Sequence, residues 1–446
     1  MAECKNQDRQ VESVLKRRVA CRTLGCRMNQ HETDALVTAL QARGYEIVSA
    51  DAEANVYLIN TCTVTNQGDR KSRAAIRQSI RTASPGAIVI ATGCMAVSQR
   101  DALEAEAGIT YVVPNNAKSS IPDLVDAHFR GEVVEPGRFK GSVFGYGLTD
   151  GGFHMRQAVK VQDGCDNFCT YCIVPAVRGR AVSRPAGEVL EHVRKILDTG
   201  AREIVITGVN IGRYEDEGLG LDGLIEKILE VPGDYRVRIS SMEPEGVTDR
   251  FVSLFGHPRL CPHLHLCLQS GSDRVLLRMR RFYTIAQYMH QVAAIKSAHE
   301  RFHFTTDVIV GFPGETDADF ADTVSVVQEV GFGHIHTFKY SRRSGTRADR
   351  MDGQVSEKVK SERSKLLRAV GQEIKRARRE EMLGMPQMLL TERVGSQGEL
   401  LGYTEYYHPV LLRDSSVGVN MFASVRGVKI QNDDEQTLVA HAVATA

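Results

Sequence analysis

The sequence has no long hydrophobic run and almost no net charge. None of its apolar stretches approaches the length needed to cross a membrane, and residues 1–18 lack the apolar segment of a signal peptide. These absences argue against a membrane protein or membrane partner and predict a cytoplasmic location. Because the formal net charge is only +1, any binding of nucleic acid must depend on local basic patches.

Two features that the sequence does have are informative: the length of the chain and its cysteine content. A chain of 446 residues, 42% hydrophobic and 25% charged, is too long for one compact core and has the composition of a globular protein with two or three domains. The chain also contains 10 cysteines. Since the cytosol keeps thiols reduced, these cysteines indicate metal or redox chemistry and not disulfides.

Three of the cysteines, Cys165, Cys169 and Cys172, follow a short apolar run at C-x3-C-x2-C spacing. A closed zinc site has four ligands and a disulfide has two, whereas three thiolates can hold a 4Fe–4S cluster that keeps one iron open. The spacing resembles that of the radical S-adenosylmethionine (SAM) superfamily, in which the open iron chelates SAM and its reductive cleavage yields a 5′-deoxyadenosyl radical. The alternative is a zinc knuckle, for which His154 is the nearest candidate fourth ligand.

The first 130 residues show a repeated pattern of strand and helix. The apolar runs 19–23, 55–60 and 88–92 predict buried strands, each followed by a helical pattern, and this alternation predicts an open parallel sheet. Asn29 and Glu32 have the spacing of a helix N-cap box, and Gly44 lies where that helix should end.

A second triplet of cysteines follows these strands. Cys26, Cys62 and Cys94 each come just past the carboxyl end of one predicted strand. In a parallel sheet those ends share one edge, so we expect the three thiols to meet there and to form a second cluster site. The alternative is that they are small buried hydrophobic residues, as free cysteine often is.

Residues 150–340 contain six further strand patterns, at 158–161, 203–207, 236–240, 264–268, 304–310 and 335–340, alternating with helices. Six units predict an open barrel, with the Cys165 loop after its first strand, at the face where such folds build active sites. The glycine-rich stretch 130–152 is a predicted linker. Four residues just past the second, third and fourth strands are candidate SAM contacts: Gly208, Glu243, Gln269 and Ser270.

The C-terminal region predicts a small β-barrel. Short apolar runs at 387–392, 407–413 and 423–430 are separated by glycine and aspartate turns. The segment 402–407 combines tyrosines with a glycine turn, and its rings either stack on bases or belong to the core. The preceding helical pattern, 356–383, is rich in lysine and arginine and either guides RNA or is a charged linker.

The whole chain resembles the methylthiotransferase family of radical SAM enzymes. The motifs that carry the resemblance are 23–30, 60–62, 92–94, 162–175, 178–185, 268–273 and 311–315. It implies an α/β fold with an N-terminal open parallel α/β sheet domain at 17–130, a central partial (β/α)6 radical SAM barrel with its following helix at 151–383, and a TRAM-like β-barrel that binds RNA at 384–446.

The resemblance also implies the cofactors and the ligands. Cys26, Cys62 and Cys94 would hold an auxiliary 4Fe–4S cluster tied to sulfur delivery, and Cys165, Cys169 and Cys172 the SAM-cleaving cluster, with no catalytic residue beyond these ligands. The radical would abstract hydrogen from C2 of an adenine, sulfur would be inserted, and a second SAM would supply the methyl group. A low-potential electron donor such as flavodoxin or ferredoxin would be a partner, beside tRNA and SAM.

Within the family, the run from Thr23 to Glu32 looks most like the branch that acts on N6-threonylcarbamoyladenosine at position 37 of tRNA, next to the anticodon. The alternatives are the same chemistry on N6-isopentenyladenosine in tRNA or on an aspartate of a ribosomal protein. Two further alternatives are a radical SAM enzyme with one cluster and another chemistry, and a non-catalytic zinc-containing RNA-binding protein. Ala176 and Cys267 depart from the family pattern.

Overall fold

The computed structural model describes residues 16–132, 135–136, 141–147, 155–413, 417–431 and 433–443. The chain divides into two compact units, Met1–Asp150 and Gly151–Ala446. His154 and much of the predicted linker 130–152 lie outside the described residues. No helix among the described residues is both long enough and apolar enough to cross a membrane.

The first unit is built on a five-stranded parallel sheet in the order β2-β1-β3-β4-β5. Its strands are β1 (Arg18–Thr23), β2 (Glu46–Val48), β3 (Val56–Thr61), β4 (Ile88–Gly93) and β5 (Tyr111–Val113). Its helices are α1 (Arg27–Ala42), α2 (Asn66–Thr82), α3 (Cys94–Ser98), α4 (Arg100–Glu104) and α5 (Ile121–Phe129). Both central strands, β3 and β4, are buried along their whole length, as expected for a parallel sheet covered by helices on both faces.

Side chains alternate between two hydrophobic cores, one on each face of this sheet. Leu58 of β3 packs in the core that contains Leu36 of α1 and Leu124 of α5. Its neighbour Ile59 packs in the opposite core, which contains Ile76 of α2. This period of two is what a strand buried on both faces requires. The open parallel sheet and its three predicted strands are confirmed, and β2 and β5, each three residues long, were not predicted.

The predicted N-cap box is wrong, whereas the predicted helix end is right. Helix α1 begins three residues earlier than predicted, at Arg27, and Cys26 is its N-cap without a side-chain hydrogen bond. The Asn29 side chain is buried and donates to the backbone carbonyls of Leu24 and Thr61 at 2.8 and 2.9 Å, so a tertiary contact has replaced the local one. Gly44 follows the helix with φ +88°, the left-handed conformation that favours glycine.

The second unit begins with a series of parallel strands and two short antiparallel pairs, β7–β8 and β10–β11. In chain order, the strands up to its middle are β6 (Arg156–Lys160), β7 (Gln162–Asp163), β8 (Val182–Ser183), β9 (Glu203–Thr207), β10 (Glu215–Asp216), β11 (Leu219–Gly220), β12 (Arg236–Ile239), β13 (Ser241–Met242), β14 (His263–Leu266), β15 (His303–Val310) and β16 (His334–Lys339). The helices are α6 (Val174–Arg178), α7 (Ala186–Asp198), α8 (Leu221–Leu229), α9 (Asp249–Ser253), α10 (Asp273–Met279), α11 (Ile285–Ala298), α12 (Asp317–Val330) and α13 (Glu357–Glu381).

Six longer strands follow one another across this sheet. Strands β6, β9 and β12 form one parallel set, and β13, β14, β15 and β16 form the next. Strand β13 starts at Ser241, just past the end of β12, and pairs with β14, so the backbone itself joins the two sets. The predicted partial (β/α)6 barrel is confirmed, and all six of its strands lie within two residues of the predicted runs.

Several of the helices carry their own start signals. Thr284 forms a reciprocal capping box with Gln287 at the start of α11, and Thr316 forms one with Asp319 at the start of α12. Each box satisfies backbone N–H groups that the first turn of a helix leaves unpaired, which stabilises the helix by about 1 kcal/mol. These caps fix where each crossover helix begins after its strand.

The chain ends in a closed five-stranded barrel in the order β17-β18-β19-β21-β20. Its strands are β17 (Pro386–Val394), β18 (Leu400–Thr404), β19 (Pro409–Arg413), β20 (Phe422–Ile430) and β21 (Leu438–Ala442). The predicted small barrel is confirmed, and β18 and β21 were not predicted. Gly402, predicted to lie in a turn, is inside β18, where a Cβ atom would overlap the carbonyl oxygen of Leu390.

Three arginines join this barrel to the parallel sheet. Arg236 donates to the carbonyl oxygens of Met388 and Tyr403 at 2.7 and 2.9 Å, and Arg238 donates to those of Glu405 and Thr404, both at 3.0 Å. Arg156 forms an ion pair with Glu392 at 2.6 Å. All three arginines lie on β6 or β12. The barrel therefore packs against the amino-terminal side of these strands, away from the ends that carry the Cys165 loop.

The buried carboxylate of Glu203 holds two of these arginines in place. Its oxygens accept from Arg236 Nε at 2.6 Å and from Arg238 Nε at 2.7 Å. Burial alone would raise the pKa of Glu203, but the charges of the two arginines outweigh it and hold that pKa well below its usual range. The joint between sheet and barrel is thus a buried, fully ionised network.

Candidate metal centres

The first candidate centre lies in the N-terminal unit, at the carboxyl ends of three neighbouring strands. Cys26 follows β1, Cys62 follows β3, and Cys94 is the first residue of α3 after β4. Because β1, β3 and β4 are adjacent and parallel, their ends share one edge of the sheet. The Cys62 thiol interacts electrostatically with both Cys26 and Cys94. The predicted convergence of the three thiols is therefore present in the structure.

Two glycines allow the loops of this centre to approach one another. A Cβ atom at Gly25 would lie 2.5 Å from Cys62 Cβ and 2.7 Å from Cys62 Sγ. A Cβ atom at Gly93, whose φ is +94°, would overlap the carbonyl oxygen of Thr61. Both positions therefore exclude a side chain, and each glycine directly precedes a cysteine of the triplet.

A network of buried polar side chains supports these loops. Lys118 Nζ donates to Glu32 Oε2 at 2.6 Å and to Asn60 Oδ1 at 3.2 Å, and all three side chains are buried. Asn60 Nδ2 in turn donates to the carbonyl oxygen of Asn29 at 2.9 Å. The network links α1, β3 and the 3-10 turn after β5. It explains why Glu32, predicted as part of a cap, is instead paired with a lysine 86 residues away.

The second candidate centre is the loop between β7 and α6. Backbone N–H groups point at two of its sulfurs: Asn167 N lies 3.5 Å from Cys165 Sγ, and Val174 N lies 3.4 Å from Cys172 Sγ. The Cys172 N–H donates to the carbonyl oxygen of Cys169 at 3.0 Å, which closes the loop around the triplet. N–H donors directed at sulfur are the environment that iron-bound thiolates favour.

Side chains from two later loops of the barrel also donate to these sulfurs. Asn210 Nδ2 lies 3.8 Å from Cys165 Sγ, and Arg281 Nη1 lies 3.4 Å from Cys169 Sγ. Arg281 also donates to Glu243 Oε1 at 3.2 Å. The sequence alone did not identify Arg281, because it lies 112 residues from Cys169 and no local motif marks it. Each of the three sulfurs thus has at least one N–H donor.

Gln162 holds the cysteine loop against the next loop of the barrel. Its Oε1 accepts from the backbone N–H groups of Val209 and Asn210 at 3.1 and 2.7 Å, and its Nε2 donates to the carbonyl oxygens of Asp163 and Gly164, both at 2.8 Å. The Gln162 side chain is fully buried. A single amide therefore fixes the positions of two loops at the carboxyl edge of the sheet.

Burial keeps one thiol of each centre protonated in the absence of metal. Desolvation, and then the charges of the neighbouring cysteines, raise the pKa of Cys62 to about 11 and that of Cys172 to about 12. A metal centre binds the thiolate and releases the proton. The donor set, three sulfurs in each triplet, therefore fits a 4Fe–4S cluster whose positive charge compensates this desolvation.

The four candidate SAM contacts all lie at the carboxyl edge, on the same side as the cysteine loop. Gly208 has no space for a side chain, since a Cβ atom would lie 2.8 Å from the carbonyl oxygen of Gln162. Glu243 is engaged by Arg281. Gln269 has φ +61° and stays in register with β15, and the buried Ser270 Oγ accepts from Ser272 N at 3.3 Å. Their contact with SAM remains a prediction.

Comparison with known protein families gives two matches. Residues 18–114 match the Uncharacterized protein family UPF0004, and residues 159–327 match the Radical SAM superfamily. Among solved structures, the chain is similar to the radical S-adenosylmethionine methyltransferase TsrM from Kitasatospora setae, with a TM-score of 0.56 and 15% identity over 75% of this chain and 77% of that one. At this identity the likeness shows the fold alone.

Curated relatives match over most of their length. The chain is 39% identical over 430 residues to the threonylcarbamoyladenosine tRNA methylthiotransferase MtaB of Thermotoga maritima, covering 95% of this chain and 96% of the relative. It is 34% identical to the protein of the same name from Bacillus subtilis, covering 92% and 94%. It is also 35% identical to the tRNA-2-methylthio-N(6)-dimethylallyladenosine synthase of Geobacter sulfurreducens, covering 85% and 87%.

These relatives and the two family matches agree with the geometry of the sites. The cofactors of such an enzyme are SAM and two 4Fe–4S clusters, and the chain presents two cysteine triplets at the carboxyl edges of its two parallel sheets. The identity to curated relatives extends across both sheets and into the C-terminal barrel. The chain belongs to the methylthiotransferase family of radical SAM enzymes.

Proposed function

We propose that this chain converts N6-threonylcarbamoyladenosine, next to the anticodon of tRNA, to its 2-methylthio form. The observation that carries the proposal is the 39% identity, over 95% of the chain, to a relative named for that activity. Further relatives at 37% and 34% identity have the same name. The dimethylallyladenosine synthases, at 35% identity and lower coverage, make N6-isopentenyladenosine in tRNA the second candidate substrate.

Each cysteine triplet has its own role in this proposal. Cys165, Cys169 and Cys172 hold the cluster that binds and cleaves SAM, and Cys26, Cys62 and Cys94 hold the auxiliary cluster for sulfur delivery. When bound, these groups supply one-electron reduction of SAM and sulfur insertion at a carbon. The convergence of each triplet at a sheet edge supports this assignment.

The surrounding residues position the SAM-cleaving centre. Asn210 and Arg281 donate to sulfur and stabilise the thiolate form, and Gln162 holds the cysteine loop in register with the next loop. We assign Gly208, Glu243, Gln269 and Ser270 to SAM binding. Their place at the carboxyl ends of neighbouring strands, on the same side as the cysteine loop, supports that assignment.

The domain division, the location and the electron partner belong to the same proposal. We assign residues 17–130 to the domain of the auxiliary cluster, 151–383 to the radical SAM core and 384–446 to RNA binding. A tRNA substrate places the enzyme in the cytoplasm, and a flavodoxin or ferredoxin supplies low-potential electrons. Part of the basic helix α13 packs in the protein interior, because its Arg363 forms a buried ion pair with Glu315 at 2.5 Å.

Nucleoside analysis of tRNA tests the substrate directly. In cells lacking the protein, mass spectrometry should show loss of 2-methylthio-N6-threonylcarbamoyladenosine and accumulation of the unthiolated nucleoside. The wild-type gene should restore the product, and the level of methylthio-isopentenyladenosine should stay unchanged. If the isopentenyl product disappears instead, the second candidate substrate is correct.

The roles of the two triplets are tested with two variants. The Cys94→Ala variant should hold about four irons per chain in place of about eight, and should still cleave SAM without forming the methylthio product, because only the other cluster binds SAM. The Cys165→Ala variant should lose SAM cleavage altogether. Product formation by Cys94→Ala would contradict the sulfur-delivery assignment, and SAM cleavage by Cys165→Ala would contradict the other.

A further inference from the structure

A second kind of metal-ligating group lies in the barrel, apart from the two cysteine triplets. The nearest nitrogen of His265, the sulfur of Cys267 and a carboxylate oxygen of Asp307 all lie within 4.8 Å of one another. In the part of the chain that the structure describes, no other set of three histidine, cysteine or acidic side chains meets this spacing. The spacing is that of ligands around a single ion, and not of ligands around a multi-iron cluster.

The backbone dictates this convergence. His265 is on β14 and Cys267 follows two residues later, so both side chains point to the same face of the sheet. On the neighbouring strand β15, Thr305 pairs with His265 in register, and Asp307 comes two residues after Thr305 on that same face. The three ligands therefore rest on two adjacent buried strands, which hold them more rigidly than loops would.

A hydroxyl group orients the histidine. His265 Nδ1 lies 3.0 Å from Thr305 Oγ1, and His265 Nε2 lies 3.3 Å from Asp307 Oδ1. If Nδ1 carries the proton and donates to Thr305, the lone pair of Nε2 faces the carboxylate. A hydrogen bond to the ring nitrogen that does not bind the metal is the usual means by which proteins orient a histidine toward a metal ion. A cation between the two groups would be coordinated by both.

The degree of burial suits a bound ion. The Cys267 residue is 7% exposed, and the side chains of His265 and Asp307 are 12% and 31% exposed. The thiol is thus shielded, whereas the carboxylate keeps a path to solvent by which an ion can enter. The set of one nitrogen, one sulfur and one oxygen donor suits Zn²⁺, which accepts all three, and excludes Ca²⁺ and Mg²⁺, which prefer oxygen alone.

We propose that His265, Cys267 and Asp307 bind a single divalent transition-metal ion, in the first instance Zn²⁺, through one nitrogen, one thiolate sulfur and one carboxylate oxygen. Binding releases the thiol proton to solvent and involves no change of oxidation state. Three protein ligands leave the fourth tetrahedral position to a water molecule. The ion would join β14 to β15 close to the cysteine loop, since the Tyr283 hydroxyl donates to the carbonyl oxygen of Cys267 at 3.2 Å and the Arg281 guanidinium lies over the Tyr283 ring.

Metal analysis of the full-length holoenzyme tests the proposal. The iron-loaded protein is incubated with Zn²⁺, freed of loosely bound metal on a chelating column, and analysed for zinc and iron. We expect about one zinc per chain in the wild type beside about eight irons. The Cys267→Ser and Asp307→Asn variants should lose the zinc and keep the iron. Cys261→Ser is the matched control, because Cys261 is a buried free cysteine just before β14 that lies outside the group.

X-ray absorption at the zinc edge gives a second readout that the iron does not disturb. The wild type should show one sulfur neighbour at about 2.3 Å with nitrogen and oxygen neighbours at about 2.0 Å. The spectrum of Cys261→Ser should be the same. A fully iron-loaded wild type that retains no zinc would overturn the proposal, and so would zinc that Cys267→Ser retains at the wild-type level. Neither result bears on the methylthio product, so the proposed function is tested separately.

Discussion

At the scale of single residues, the environment of the cysteines matters as much as their number. The loop spacing brings Cys165, Cys169 and Cys172 together, but the side chains that donate to their sulfurs come from elsewhere in the barrel. Arg281 is the most distant of these in sequence, and it is buried beside Cys169 with Glu243 as its counter-ion. Such contacts tune a metal centre without binding the metal.

The Arg281→Gln substitution should make the SAM-cleaving cluster harder to reduce. A positive hydrogen-bond donor at a cluster sulfur favours the reduced state, so its removal should shift the midpoint potential to more negative values. We expect the rate of SAM cleavage to fall about 10- to 100-fold, as is typical when a hydrogen-bond partner of a metal ligand is removed. Redox titration followed by electron paramagnetic resonance, in a Cys94→Ala background with a single cluster, measures the shift.

Arg259→Gln provides the control for this prediction. Arg259 also lies over a tyrosine ring, that of Tyr235, at 5.0 Å, and donates to backbone carbonyl oxygens, but no contact with a cysteine sulfur is described for it. Its loss should leave the midpoint potential unchanged. An equal shift in both variants would mean that general loosening of the barrel, and not the contact with Cys169, sets the potential.

At the scale of the elements, close approach of backbone decides whether the cysteine loops can form. Gly93 ends β4 and is followed at once by Cys94, with its Cα packed against the backbone of Thr61 at the end of β3. A methyl group there would force the two strand ends apart. The same two strand ends carry Cys62 and Cys94, so the packing at Gly93 also determines where the two thiols lie.

The Gly93→Ala substitution should therefore destabilise the N-terminal unit and weaken its cluster. We expect a loss of more than about 1 kcal/mol, because both the left-handed conformation and the overlap with Thr61 oppose the methyl group. Gly44→Ala is the matched control, since Gly44 has φ +88° and a Cβ atom there would meet nothing within 4 Å. Urea unfolding and iron content measure both effects, and equal losses in the two variants would contradict the argument from overlap.

Local patterns predicted most of these elements, and tertiary contacts account for the exceptions. The buried strands β3 and β4 and the six barrel strands were identified from apolar runs, because such strands are buried on both faces. Asn29 looked like a helix cap but binds the end of β3, and Tyr407 looked like the start of a strand but has φ +65° in a turn. A partner distant in sequence decided the first, and a turn closed by the Tyr407 N–H on the carbonyl oxygen of Thr404 decided the second.

The candidate sites show the same difference between features set by local sequence and features set by tertiary contacts. Both triplets of cysteines could be predicted, because their spacing and their places after strands are local properties. The interpretation of the tyrosines of the 402–407 segment as a base-stacking platform does not fit two of them. Tyr403 and Tyr407 stack on each other at 5.0 Å, with Arg156 over the ring of Tyr403 at 4.4 Å. They belong to the joint between barrel and sheet, which only the folded structure shows.

At the scale of the whole molecule, the second unit is held together by charge as well as by apolar packing. The C-terminal barrel and the parallel sheet meet around Glu203, with the arginines of β12 between them. A buried network of this kind is costly to break, because removing one partner leaves the other charges buried and unpaired. Glu203 forms ion pairs with both Arg236 and Arg238.

The Glu203→Gln substitution should destabilise this unit by about 3–5 kcal/mol, whereas Glu226→Gln, in the exposed pair with Arg250, should change stability by less than about 1 kcal/mol. Urea unfolding at pH 7 measures both. Because folding lowers the pKa of Glu203, its contribution is fully present above the ordinary value of 4.5 and is lost as the pH falls below it. The wild type should therefore lose this stabilisation on acidification, and Glu203→Gln should show a smaller dependence on pH over that range. Equal destabilisation by the two substitutions at pH 7 would contradict the role of the network.

The joint also has an evolutionary consequence. Arg236 and Arg238 donate hydrogen bonds to backbone carbonyl groups of the C-terminal barrel, at Met388, Tyr403, Thr404 and Glu405. Every amino acid has such a carbonyl group. Mutations that alter the side chains of these four residues therefore leave the hydrogen bonds in place. Selection can therefore change the outer surface of the barrel, which we propose to bind RNA, while the barrel stays attached to the same parallel sheet.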